Sequence, residues 1–337
     1  MKVAILSPVA WRTPPQQYGP WEQVASNITE GLVAKGIDVT LFATGDSITS
    51  GKLVACCDRP YGGDPTADAK VNECLHISNL FERAAEFDVI HNHYDFLPLT
   101  WSRMIKTPMI TTIHGFSSQL IVPVYKKYNP GSNYVSISFA NRHPELDYLA
   151  TVYNGVNTAD FTFSKTAGDY LLFFGRIHPE KGTHDAIRLA KQSKKKLIIA
   201  GLIQDVSYFN AQVVPHIDNK EVIYAGNCGP AQRDQLLGGA QALLHPIHFD
   251  EPFGLSVAEA MCCGTPVIAY NRGSMPELIQ HEKTGFLVNS IDEAVKAVDR
   301  ISAINRKDCR QWAITRFSKE RMTDDYLALY EQILQTV

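Results

Sequence analysis

The chain has 337 residues, 45% of them hydrophobic, with 32 Lys and Arg against 35 Asp and Glu for a formal net charge of −3. That length is too great for one typical core and predicts two domains of roughly 150 residues each. The near-balanced charge argues against a nucleic-acid partner, and no apolar run approaches the ~20 residues needed to span a bilayer.

In chain order, residues 3–6 read as a buried strand rather than a signal segment, because the apolar run is too short for a signal core. Residues 21–34 carry Val24, Ile28 and Leu32 at helical spacing and end at Gly36. Residues 39–43 are strand-like again, which completes a βαβ unit with a parallel sheet. Further strands are expected at 89–91, 109–113, 134–137 and 150–152. Residues 44–83 give no clear pattern beyond the turn cluster Tyr61-Gly-Gly-Asp-Pro65. After a polar segment at 157–169 a second series begins, with strands at 170–174, 196–200, 221–224, 242–245, 266–269 and 286–288. Helical stretches at 183–192 and 232–237 intervene, and a last helix at 319–335 follows the second sheet. The chain therefore reads as two doubly wound α/β domains in tandem, with a boundary near 155–168. Ligands of such sheets bind beyond the carboxyl ends of the strands, so two facing sheets predict a cleft. The cluster Lys194-Lys195-Lys196 reads as a solvated helix end. The seven cysteines are odd in number and show no C-x-x-C spacing, so neither disulfides nor structural zinc are expected and the chain reads as cytoplasmic. Cys262 and Cys263 read as small buried hydrophobes on a helix.

The densest chemistry lies in Glu251-Pro-Phe-Gly-Leu-Ser-Val-Ala-Glu259. Gly254 permits close backbone approach, and the amides of Gly254, Leu255 and Ser256 lie where a helix starts, free to meet an anion. Gly264 and Pro266 end that helix. Two carboxylates beside anion donors suit a sugar joined to a phosphate. The same spacing also fits a capping box, Ser256-x-x-Glu259, and a solvated Glu251, so both readings stand on this stretch alone. Arg176 and Lys181, in Phe174-Gly-Arg-Ile-His-Pro-Glu-Lys-Gly182, follow the first strand of the second series and could neutralise a diphosphate. A salt-bridged surface loop is the alternative. His114, before Gly115 at the end of another strand, is aimed at the ligand edge of the first domain. His91 and His93 lack a third ligand at metal-site spacing and read as cleft-lining residues. The loop before Gly19 is Pro-rich and carries no G-x-G-x-x-G, and neither a P-loop nor a G-x-S-x-G is present. No D-x-D pair occurs for a metal–diphosphate clamp, so no metal site is expected.

Together these segments, with Cys263-Gly-Thr-Pro-Val-Ile-Ala269, Asp88-Val-Ile-His-Asn-His93, Thr112-Ile-His-Gly115, Tyr153-Asn-Gly-Val156 and Lys283-Thr-Gly-Phe-Leu-Val288, resemble the family 4 retaining glycosyltransferases of the GT-B fold. The likeness runs over almost the whole chain. It implies an N-terminal Rossmann-like acceptor domain (1–156), a C-terminal donor domain (157–316), and a last helix, about 317–337, that crosses back to the first domain. It implies a hexose moved from a nucleotide-diphosphate sugar, such as a UDP- or GDP-sugar, to an acceptor hydroxyl with retention and without metal or other cofactor. Arg176 and Lys181 would bind the diphosphate. Glu259 would bind the ribose, and Glu251 the donor sugar with the Phe253, Gly254 and Leu255 backbone. His114 would sit by the reacting carbon, and the Gly19 loop would approach the phosphates and shape the acceptor site. The acceptor class stays open between sugar, glycan, lipid and small molecule. A lipid acceptor would bring peripheral contact with the inner face of the membrane. A departure is Gly19-Pro20, where similar proteins carry Gly-Gly; Pro removes one amide donor. A nucleotide-sugar epimerase of the same fold and a non-catalytic nucleotide-sugar binding protein are the alternatives.

Overall fold

A computed structural model describes residues 1–335, so the last two positions of the helix expected at 317–337 lie outside the described residues. The chain divides into two compact units, residues 1–155 joined by the segment from Lys319, and residues 156–318.

The first unit is built on β1 (Lys2–Leu6), α1 (Pro20–Ala34), β2 (Asp38–Phe42), β3 (Lys52–Val54), α2 (Ala69–Phe81), β4 (Val89–Asn92), β5 (Met109–Ile113), α3 (Val122–Tyr128), β6 (Asn133–Ser136) and β7 (Ala150–Thr151). Its seven strands run parallel in the order β3-β2-β1-β4-β5-β6-β7. Val3, Ala4, Ile5 and Leu6 of β1 are all fully buried, as a central parallel strand covered on both faces requires. Pro20 occupies the first position of α1, where its fixed φ suits a helix and no amide is needed.

The second unit holds β8 (Tyr170–Phe174), α4 (Thr183–Gln192), β9 (Lys196–Ala200), the single turn α5 (Val206–Tyr208), β10 (Val222–Tyr224), α6 (Pro230–Gly239), β11 (Ala242–His245), α7 (Leu255–Cys262), β12 (Val267–Tyr270), α8 (Met275–Leu278), β13 (Gly285–Val288), α9 (Ile291–Arg300) and α10 (Arg306–Phe317). Its six strands are also parallel, in the order β10-β9-β8-β11-β12-β13.

The last helix, α11 (Lys319–Gln335), belongs to the first unit. It packs on α1 where a Cβ at Gly31 would collide with the Thr323 hydroxyl, so glycine is what lets these backbones approach. The helix begins at Lys319 rather than near 317, because α10 runs to Phe317 and Ser318 is extended. Between residues 44 and 83, β3 and α2 are elements the sequence pattern does not reveal. α2 exposes Val71 and Leu75, which blurs its apolar face. Among the described residues, no helix is long and apolar enough to cross a membrane.

In each sheet the strand order reverses once, between β1 and β4 and between β8 and β11. Beyond the carboxyl ends of those strands lies the crevice where doubly wound sheets bind ligands.

Candidate active site

At the reversal of the second sheet, the loops after β8 and β11 bring Lys181 and Glu251 together as an ion pair, with each side chain only 12% exposed. Gly182 makes the approach possible. It adopts φ 72°, and a Cβ there would collide with the Pro246 carbonyl oxygen. The His248 amide donates to the Glu180 carbonyl at 2.7 Å, which locks the two loops further. The Lys181 ammonium lies 4.7 Å from the centre of the Phe249 ring, a cation–π contact. His245, at the end of β11, places Nε2 3.6 Å from the Glu251 carboxylate. Burial alone would raise the Glu251 pKa, but the Lys181 charge and His245 outweigh it and hold the carboxyl at about 2. Burial lowers the His245 pKa despite Glu251, so His245 is neutral and Lys181 carries the compensating charge. Glu251 is therefore a permanent carboxylate, fit to accept hydrogen bonds and unfit to donate a proton.

The loop from Glu251 is braced from the far side. Ser274 donates its amide to the Glu251 carbonyl at 3.0 Å and its hydroxyl to the Phe253 carbonyl at 2.6 Å. Gly254, at φ 93°, is the N-cap of α7 and has no side chain to cap it. The first amides of α7, Leu255 and Ser256, thus open the helix without an intrahelical acceptor. Ser256 lies inside the helix rather than at its cap, so the capping-box reading fails. Glu259 instead pairs with Arg233 of α6 at 3.2 Å. Burial raises the Glu259 pKa and Arg233 opposes it. Arg176, in the loop after β8, hydrogen-bonds Gln204, which follows β9.

The first sheet presents different groups. His114, after β5, shares a 2.9 Å hydrogen bond between its Nε2 and His93 Nδ1, and its ring stacks on Trp21 at 5.5 Å. Its Nδ1 and the Nε2 of His93 are buried without a partner. Burial lowers the His114 pKa to about 3, so it is neutral at physiological pH. Gly19 is the N-cap of α1 at φ 152°. Beside it, Glu22 is 3% exposed and accepts the Trp11 amide at 3.2 Å. Burial raises the Glu22 pKa to about 7 against the two backbone hydrogen bonds that lower it. His91 does not line a cleft. It is fully buried, with Nδ1 2.6 Å from Tyr330 Oη and Nε2 2.7 Å from Thr112 Oγ1, and Thr112 is bonded in turn to Tyr326. It anchors α11 to the sheet.

Of the residues singled out in the sequence, Lys181 and Glu251 are in contact, with Phe253, Gly254 and Leu255 in the same loop and Glu259 on the helix it opens. Arg176 leaves the same strand as Lys181. His114 and Gly19 belong to the other unit. Sequence reasoning passed over His245, Gln204, Arg233 and Glu22. His245 and Glu22 sit at a strand end and a helix start, a readable signal. Gln204 and Arg233 gain meaning only through partners distant in sequence.

Known proteins share this architecture. Residues 159–316 match the model "Glycosyl transferases group 1", and residues 21–160 match the model "Glycosyltransferase Family 4". A glycogen synthase of Mycobacterium tuberculosis is 25% identical over 94% of this chain and 90% of its own. Among solved structures, a sucrose-phosphate synthase from Thermosynechococcus elongatus superposes with a TM-score of 0.79 at 19% identity, covering 100% of both chains. Anabaena HepE in complex with UDP-glucose superposes at 0.74 and 18%, also over 100% of both. With both halves matched, the chain belongs to the family 4 glycosyltransferases of the GT-B fold and is a transferase enzyme.

Proposed function

We propose that this enzyme moves a hexose from a nucleotide-diphosphate sugar to an acceptor hydroxyl with retention of configuration and without a metal at the diphosphate. The observation that carries this reading is the buried Lys181–Glu251 pair at the strand-order reversal of the second sheet. Lys181, with Arg176 from the same loop, offers cationic donors for a leaving diphosphate, and the opening amides of α7 add further donors. Glu251, held ionised, accepts hydrogen bonds from donor sugar hydroxyls. Glu259, an acceptor one turn into α7, takes the ribose hydroxyls. The absence of a D-x-D pair supports charge neutralisation by side chains and amides rather than by a clamped ion. That Anabaena HepE was crystallised with UDP-glucose supports a sugar nucleotide as donor.

In this reading the bond from the anomeric carbon to the phosphate oxygen breaks with oxocarbenium character. The acceptor oxygen bonds the same face of that carbon, and its proton passes to the departing phosphate oxygen. Neutral His114 contributes a hydrogen bond rather than a charge. The acceptor is a sugar, glycan, lipid or small molecule.

The test is an assay of a UDP-, GDP- and ADP-sugar panel with and without acceptor candidates. Acceptor-dependent loss of one donor, with the anomeric configuration kept in the product, is the expected result. Donor turnover to free sugar without an acceptor would point to an epimerase. A covalent glycosyl-enzyme trapped during turnover would overturn the same-face route.

A further inference from the structure

The two loops that present Lys181 and Glu251 carry a second constellation. His184 and Asp185 open α4, and His248 lies between β11 and Glu251. His248 Nε2 is 3.0 Å from Asp185 Oδ2, and His184 Nε2 is 3.8 Å from Asp185 Oδ1. One ligand atom from each of the three residues lies within 4.8 Å of the others. Two imidazoles and a carboxylate form a donor set suited to borderline divalent transition metals and poorly suited to Mg²⁺ or Ca²⁺.

The surroundings orient these groups as metal sites orient theirs. His184 Nδ1 is 2.7 Å from the Tyr208 hydroxyl, which fixes the ring with Nε2 turned to Asp185. The Asp185 carboxylate is buried and accepts the Tyr270 hydroxyl at 3.0 Å. His248 is 42% exposed, which leaves room for water on an ion. The opposing feature is Arg188, 3.4 Å from Asp185; its side chain is 63% exposed and free to swing away. A tetrahedral ion with bonds of about 2.0–2.1 Å sets its ligands about 3.3 Å apart; the His184 and His248 rings stack at 5.4 Å and 10°, so the half-exposed His248 ring must rotate to aim its nitrogen at the ion.

We propose that His184, Asp185 and His248 bind a divalent ion of the Zn²⁺ class that ties the first turn of α4, directly after the Lys181 loop, to the loop after β11. The ion takes no part in sugar transfer; it fixes the two loops whose contact forms the Lys181–Glu251 pair. The site stands whether or not that pair holds a sugar donor. Spacing in the sequence hides it, because two ligands are adjacent and the third lies on a different loop.

The full-length protein, stripped with a chelator, is titrated with Co²⁺ followed by visible absorption and with Zn²⁺ followed by calorimetry. One equivalent is expected to bind, and His184→Ala and His248→Ala each weaken binding by at least about tenfold. Circular dichroism confirms that both variants fold, and the exposed position of His248 makes its truncation the safer arm. Absence of stoichiometric uptake by the wild type overturns the proposal. So does uptake of undiminished affinity in both variants, which would place the ion elsewhere on the chain.

Discussion

The ligand edges of the two sheets follow one topology and carry opposite chemistry. At the second, a buried ammonium and carboxylate face each other, with Glu251 held ionised at about 2. At the first, two buried imidazoles share a hydrogen bond, and His114 is held neutral at about 3. The difference teaches that the strand-order reversal supplies only a place. What the place can bind is set by a few residues on the loops, and here one edge is built for charge while the other offers neutral hydrogen-bonding groups.

The largest expected effect removes charge from the second edge. Lys181→Ala and Arg176→Ala should each lower transfer by about a hundredfold or more, the scale of losing one donor to developing charge. His114→Asn keeps a neutral hydrogen-bonding group and should lower it less. Steady-state rates with saturating acceptor check this, and near-normal rates in both cation variants would break the comparison.

Next in size is the device that joins the loops. Gly182→Ala forces a side chain into left-handed backbone and against Pro246, and should cost about 2–3 kcal/mol. Gly175→Ala, in the same loop with open space and no left-handed φ, should stay within about 0.5 kcal/mol. Urea unfolding of the two variants compares them directly.

Acid separates the edges. His114 has its folded pKa depressed from 6.5 to about 3, so the unfolded chain takes up its proton first as pH falls. Its contribution is present above pH 6.5 and is lost on the way down, by about 2 kcal/mol between pH 6.5 and 5. Glu251 is also depressed, from 4.5 to about 2, so its contribution holds to pH 4.5 and is lost only below that. Glu22, raised to about 7, runs the other way and offsets the histidine by a similar amount in wild-type data. The His114 share is therefore read as wild type minus His114→Asn, by hydrogen exchange of the β5 amides between pH 5 and 7. A difference independent of pH would contradict the buried neutral histidine.

Much of this was legible beforehand because parallel strands buried on both faces read as short continuous apolar runs, as at β1, β8, β11 and β12. Glycines on both sides of Lys181 and the one after Glu251 marked the loops that approach each other. Where the pattern failed, the cause was physical. β3 is short and largely exposed, and α2 leaves apolar residues in solvent, so neither shows a clean period. His91 looked like a ligand-edge residue because its partners, Tyr326 and Tyr330, come from the far end of the chain. Ser256 and Glu259 matched a capping box that does not form, since Gly254 caps α7 and Glu259 is drawn to Arg233.

The most direct test of the central claim is calorimetric titration of wild type and Glu251→Gln with a sugar nucleotide and with the matching bare nucleoside diphosphate. If Glu251 holds the sugar while Lys181 and Arg176 hold the diphosphate, the substitution weakens the sugar nucleotide by about tenfold or more, the scale of a charged hydrogen bond. The bare diphosphate then binds as well or better, because Lys181 is released from its partner. Equal weakening of both ligands, or of neither, would contradict the assignment of this pair as the donor site.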